Sequence, residues 1–469
     1  MVSRRDMKKV LLLIGAMAAL LLTVSPLLMG LAISDSRTQS SLRALTGQPG
    51  LVLQMESGWF SSQGRVTVSA PEIAGVTYDN IVLVADVELS HGPLLATDTG
   101  LRPGIGWARL TPVLTGLPVN HPLHQLFADA ARSRITVFTG LNGSMRLELQ
   151  ANAPTFVLPT APGDLLEPTT LTLADLQVSL ALAANGMADL EINSAEMRVH
   201  NAVYDAVATQ PSLHAHSTEL SATPLPGTLR IAAQALHIDG LPALTPTLSL
   251  STSPSPAAAV ATSSLTMQGI SLDYAARQQP DTSTITLQQT LDVIRIESAL
   301  PLESLTLSTQ LSGIDEALAT EYINFLRATQ SVMQAMTAPQ LQAHIAEYSE
   351  TLALNLLQSP LQQSSTLNLR SWGGDHEATV DMQWPGLPSL TSLEQINTAT
   401  MVQTLAVTLE IAADAQTVAG GPLATMSRNY TSQGMLTEEN GKIVLRANLQ
   451  DGSVHVNGTS FPLGPLLNF

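Results

Sequence analysis

Leu171-Thr172-Leu173-Ala174-Asp175-Leu176-Gln177-Val178-Ser179-Leu180 is the stretch that decides the fold. Leu171, Leu173, Leu176, Val178 and Leu180 stand out against polar or small neighbours. A period near two puts successive side chains on opposite faces of an extended strand, so this segment reads as a strand with one apolar face. The pattern recurs at Val66 with Val68, from Ile81 to Val87, at Leu302, Leu305 and Leu307, and near 135–149, 190–199, 229–238, 265–272, 285–296, 367–382, 405–411 and 443–456. Asn142-Gly143, Asn185-Gly186, Asn440-Gly441 and Asp451-Gly452 punctuate these runs, and such pairs supply the positive backbone angles of tight hairpins. The sequence therefore predicts a mainly β fold in which hairpin follows hairpin.

One segment, 314–358, carries a helical period instead. Ile314, Leu318, Tyr322, Phe325 and Leu326 recur at helical spacing, and Ile345, Tyr348, Leu352 and Leu356 continue the stripe. Pro339 divides it into two helices, because proline removes an amide donor and clashes with the preceding turn. The expectation is a helical pair packed against the sheet or closing one end of it. Leu250 to Ala261, with Ser251, Ser253, Pro254, Ser255 and Pro256, reads as a loop or hinge between strand-rich regions 34–250 and 262–469. Pro154 to Pro168 is a second candidate connector.

Val10 to Ile33 is a run of 24 positions without a charge, preceded by Arg4, Arg5, Lys8 and Lys9 in the short segment 1–9. At about 1.5 Å per helical residue it spans the roughly 30 Å hydrocarbon core of a bilayer. The basic residues before it place the N-terminus in the cytoplasm and the rest of the chain outside. Ala32 and Ser34 offer a signal-peptide alternative, but secretory apolar regions run to only about 15 residues. The expectation is a single-pass inner membrane protein with its bulk in the periplasm.

Composition narrows the function classes. Of 469 residues none is cysteine, which excludes disulfides, thiolate metal sites and a cysteine nucleophile. A net charge of −17, with no basic cluster beyond the N-terminus, argues against nucleic acid as a partner. Charged residues make up 13% and the mean hydropathy is +0.19, which describes an unusually apolar exported chain. Either the composition has drifted toward alanine and leucine, or a long aliphatic face is left uncovered by the protein's own core.

Histidines are the first place to look for metal or proton chemistry. His214 and His216 share a strand face with Glu219 nearby, short of the ligands a tetrahedral metal needs. His121-Pro122-Leu123-His124 has helical spacing but no acidic partner, and Asp375-His376-Glu377 after Gly373-Gly374 reads as a solvated hairpin loop. No nucleophile elbow, zincin helix or phosphate-binding loop occurs, so no catalytic, cofactor or metal residue is assigned.

Two further stretches carry a resemblance. Glu56-Ser57-Gly58-Trp59-Phe60-Ser61-Ser62-Gln63-Gly64 is followed by His91-Gly92-Pro93-Leu94, and Gly452-Ser453-Val454-His455-Val456-Asn457-Gly458 lies near the C-terminus. They resemble the opening and the closing hairpin of the YdgA-like family of bacterial envelope proteins, catalogued as a domain of unknown function. In physical terms Gly58 and Gly64 suit turns, Trp59 and Phe60 suit hairpin anchors in the core, and Pro93 after Gly92 suits a strand end. The family is similar in design to AsmA-like envelope proteins, which implies an α+β fold: an extended, curved antiparallel sheet with a helical pair, preceded by one transmembrane helix. That resemblance also implies a concave face lined with aliphatic residues. The expected function is a non-enzymatic envelope protein binding a lipid or other apolar partner. The alternatives are a scaffold without a groove that docks envelope proteins, and a metal-dependent enzyme built on His214 and His216.

Overall fold

The structure, a computed structural model, describes residues 51–462 apart from 114–132, 159–168, 219–226, 243–261, 333–337 and several shorter stretches. The expected anchor at 10–33, the stretch at 251–261, Glu219 and His121-Pro122-Leu123-His124 lie outside the described residues. Among the described residues no helix is long and apolar enough to cross a membrane. The fold is mainly β, its sheets are antiparallel, and helices are few. The chain divides into two compact units, residues 1–157 with 171–195, and residues 158–170 with 196–469.

In the first unit β1 (Leu51–Ser57), β2 (Ser61–Ser69), β3 (Val82–His91), β4 (Gly106–Val113), β5 (Arg134–Thr139), β6 (Met145–Ala151), β7 (Leu176–Leu182) and β8 (Ala188–Asn193) pair antiparallel in that order. Their registers line up the apolar alternation: Met55, Gly64, Val87, Leu110, Ile135, Leu149, Val178 and Ile192 stand side by side on one face. Polar pairs such as Arg65 with Asp86 occupy the other. Gly64 belongs to this row and not to a turn, which corrects the expectation for it. A Cβ there would lie 2.0 Å from the Gln54 carbonyl oxygen and 2.7 Å from the Met55 sulfur, so the strand needs glycine to let β1 approach. The opening stretch is two strands, Thr169–Ala174 and β7, because Asp175 sits at φ 51° between them. That kink accounts for the shift from odd-numbered to even-numbered leucines.

In the second unit β12 (Gly227–Pro242), β13 (Thr262–Gln279), β14 (Thr284–Glu297), β15 (Leu302–Asp315), β16 (Leu361–Ser371), β17 (Gly374–Trp384), β18 (Ala406–Asp414), β20 (Lys442–Gln450), β21 (Ser453–Val456) and β22 (Thr459–Pro462) form the main antiparallel series. β9 (Glu196–His200), β10 (Asp205–Thr209) and β11 (Ser212–Ser217) precede this series, with β10 and β11 sharing the outer edge of β12, and β19 (Thr437–Glu439) pairs with β20. Trp372-Gly373, Asn440-Gly441, Asp451-Gly452 and Asn457-Gly458 all have both φ angles positive, the geometry of two-residue hairpins whose twist matches the strands they join. Asp375, His376 and Glu377 are therefore strand residues opposite Arg370, Leu369 and Asn368, not a loop; the turn falls earlier, at Trp372-Gly373.

The helical pair is present as α1 (Glu316–Val332) and α2 (Ala338–Gln358), with Pro339 in the first turn of α2, where its missing N–H leaves no bond unmade. Ile314 belongs to β15 and does not begin the helix, because the last strand residue, Asp315, caps α1: its carboxylate accepts from the backbone N–H of Ala317 at 2.7 Å. The aromatic members of the stripe stack on one another across the pair, Phe325 on Tyr348 at 3.6 Å between centroids and 3° between planes. The end of α2 is tied to the sheet where the Trp384 indole and the Leu387 N–H both donate to the Leu357 carbonyl. Two shorter helices, α3 (Ala415–Gly420) and α4 (Ala424–Ser432), lie between β18 and β19.

Candidate functional site

The second unit holds the broadest candidate surface. Ile231, Leu272, Leu291, Leu307, Leu367, Ala378, Ile411 and Leu445 are register partners from β12 to β20, one per strand. Beside this ladder runs another: Ala233, Ile270, Val293, Leu305, Leu369, His376, Ala413 and Ile443. One residue along, the side chains point to the opposite face, where one row is polar throughout: Arg230, Asp273, Thr290, Ser308, Thr366, Thr379, Glu410 and Arg446; the next, from Ala232 through Asp292, Thr306, Asn368 and Glu377 to Val444, is mixed. The sheet thus has one predominantly aliphatic and one predominantly polar face.

At about 4.8 Å between strands, eight rungs cover roughly 34 Å. A sheet face covered by its own protein buries its central leucines almost completely. In the first ladder none of the eight residues is buried, and Leu307, in the middle, keeps 36% of its surface, whereas in the second Val293 is buried. Within the apolar face, Gln363 donates to the Ser365 hydroxyl at 3.1 Å, which donates to the Thr309 hydroxyl at 3.2 Å, so these uncharged polar groups satisfy one another, while His376 meets the Ser371 carbonyl at 3.2 Å. Tyr274 neighbours them on the same face, its phenol pushed above its usual pKa by burial.

Charges are kept on the other side. Arg446 makes a bidentate pair with Glu439 at 2.7 and 2.9 Å and reaches Glu410 at 3.2 Å, which raises the guanidinium and lowers the Glu439 carboxyl from their ordinary values. An open cavity of about 270 Å³ involves Ser304, Asn368, Arg370, Asp375, Glu377 and Lys442. His376 also lines it, and Arg370 there is already paired with Glu303 at 3.0 Å and Asp375 at 3.7 Å, so the cavity offers a lining of mixed charge.

In the first unit the motif residues Gly58, Trp59, Phe60, Ser61, Ser62, His91, Gly92 and Pro93 come together at one end of the sheet. The Ser62 hydroxyl and the His91 Nε2 are 3.0 Å apart, and each residue is 1% exposed. His91 N–H donates to the Phe60 carbonyl, Gly92 N–H to that of Ile105, Gly104 N–H to that of Pro93, and Ile105 N–H to that of Thr139. This ladder of bonds knits three successive loops. A serine and a histidine at such a distance have the geometry of a nucleophile and its base. Both residues are enclosed in the fold, where the pair bridges the start of β2 and the end of β3 as a polar rivet. Trp59 and Phe60 point the other way: they are 51% and 54% exposed, so they do not anchor the hairpin in the core as expected. The core position next to them is taken by Ser62 and His91.

The remaining candidates are separate from both places. Asn457 and Gly458 form the last hairpin turn, where Asn457 accepts from the Arg446 N–H at 2.9 Å and donates to the Met435 carbonyl at 2.8 Å. His214 and His216 lie on β11 opposite Arg230 and Thr228. Among the described residues no three His, Asp or Glu side chains converge as metal ligands would.

These features define a class: a two-unit antiparallel β protein whose second unit carries a broad aliphatic sheet face. The chain belongs to a family described as bacterial protein of unknown function (DUF945), whose model matches residues 7–464. No curated protein and no solved structure matches it at a significant level.

Proposed function

We propose that this is a non-enzymatic envelope protein, held in the inner membrane by residues 10–33 with its bulk in the periplasm, whose second unit shelters an acyl chain on its aliphatic face. The observation that carries this reading is the ladder from Ile231 to Leu445, aliphatic at every rung and buried at none. At about 25 cal/mol per Å² of apolar surface removed from water, an acyl chain laid along it gains several kcal/mol with no catalytic group. Supporting the membrane reading are the length of the apolar run and the basic residues before it. The likeness to YdgA-like proteins, and in design to AsmA-like ones, belongs to the same proposal.

The test is lipid analysis of the purified full chain beside a variant carrying Leu291→Asp and Leu367→Asp. The proposal expects bound acyl lipid in the unmodified protein and its loss in the folded variant. Equal lipid in both, beyond what the anchor alone retains in a truncated control peptide, would count against it.

A further inference from the structure

We infer that the loop rim of the first unit, carrying Trp59, Phe60, Leu94, Leu101, Ile105 and Leu141, docks into the interfacial layer of a lipid bilayer. This inference rests on the reading of residues 10–33 as a membrane anchor. All six side chains are exposed, Leu101 at 70%. They sit on three connections at a single end of the sheet, the turns 57–61 and 139–144 and the segment 92–105, whose Leu94–Thr97 and Gly100–Pro103 pair as a short hairpin, and the backbone bonds around His91 knit the three together. Exposed large apolar groups occur singly on any protein. Six gathered on two adjoining turns and the short hairpin between them, next to the buried Ser62–His91 pair, form a surface built to be covered.

The chemistry selects a bilayer as the cover. Loops 57–61 and 139–144 carry no charge in a chain whose net charge is −17. Loop 92–105 carries Asp98 and Arg102, and Asp98 is ion-paired with Arg134 at 3.3 Å. Tryptophan, with an apolar ring and one N–H donor, partitions to the headgroup boundary, and phenylalanine and leucine beside it extend below that boundary.

The tether permits the approach. The rim lies at the far end of β1 from Leu51, and a strand of 7 residues is about 23 Å long. The 17 residues 34–50 between the apolar run and Leu51 can reach about 55 Å when extended. The chain therefore has more slack than the strand has length, and the rim can turn back to the bilayer that holds the anchor. Once tethered, it meets that surface at a high effective concentration, so weak insertion by each loop suffices.

The experiment reconstitutes the full chain into vesicles of phosphatidylethanolamine and phosphatidylglycerol whose acyl chains carry bromine, a contact quencher of indole fluorescence. The expected result is quenching in the unmodified protein that falls by at least half in Trp59→Phe and is weakened in Leu141→Ser, with circular dichroism unchanged in both. No quenching, or equal quenching in Trp59→Phe, overturns the inference while leaving the anchor in place. Failure of the chain to float with the vesicles overturns both.

Discussion

Replacing Leu307 by serine probes the aliphatic ladder at its centre. The side chain keeps 36% of its surface, the part available to a ligand. Burying a whole leucine is worth about 1.5–3 kcal/mol, so covering that third contributes roughly 0.5–1 kcal/mol, and the ligand surface pressed against it a similar amount. The sum, about 1–2 kcal/mol, corresponds to binding weaker by roughly 5- to 30-fold. The two-thirds already buried makes the same change cost about 1–2 kcal/mol of stability, which a domain of this size survives. Thr306→Val supplies the control: it lies next along β15 and points to the polar face, opposite Asp292 and Asn368. Titration of the amphipol-held full chain with a fluorescent fatty acid should show weakened binding for Leu307→Ser and none of that loss for Thr306→Val. Equal affinities in all three proteins, or equal losses in both variants, would refute the reasoning.

Other parts of the molecule give separate expectations. Ser62→Ala strips the buried His91 Nε2 of its hydroxyl partner and should lower stability by about 1–3 kcal/mol, read by denaturant unfolding, with no change in vesicle quenching if the pair is only a rivet. Gly64→Val forces a side chain into β1 and should cost at least about 1–3 kcal/mol; amide exchange in 51–57 should accelerate first, and unchanged protection there would contradict the close approach. Asp414 caps α3 by accepting from the Thr417 N–H at 2.7 Å, which holds its carboxyl below the ordinary range. A depressed folded pKa stabilises the protein above the unfolded value near 3.9, and that stability is lost as pH falls through the lower folded value. Thermal unfolding followed from about pH 6 to pH 2 should therefore show a shallower acid loss in Asp414→Asn, which keeps the cap without the titration; an identical profile would remove Asp414 from the acid response.

Much of the fold could be read from the chain because its signals are local. Alternation at Val66 with Val68 or Leu305 with Leu307 needs no knowledge of neighbours, and Asn440-Gly441 and Asp451-Gly452 announce their turns by side-chain chemistry. Trp372-Gly373 adopts the same turn with a residue that gives no such notice, so the strand after it begins earlier than its Asp375-His376-Glu377 suggested. Ile314 fits the helical period yet belongs to a strand, since the capping carboxylate of Asp315 sets the helix start more firmly than the period does.

The candidate site was legible only in pieces. Each rung, from Ile231 to Leu445, sits in a stretch read as strand, but a ladder exists only through register, and register is a property of pairs of strands. Ser62 and His91 stand 29 positions apart, and nothing in their spacing reveals the 3.0 Å contact. Trp59 and Phe60 misled because large aromatics are more often buried than displayed; their outward direction follows from the smaller, polar pair that fills the space beneath.

The aliphatic face is tested most directly by placing a photo-reactive amino acid at position 307, and separately at 306, in the full chain expressed in a bacterial host, followed by irradiation and mass spectrometry of the modified peptide. The account predicts an acyl-lipid adduct at 307 and none at 306. Adducts at neither position, or at both alike, would contradict it.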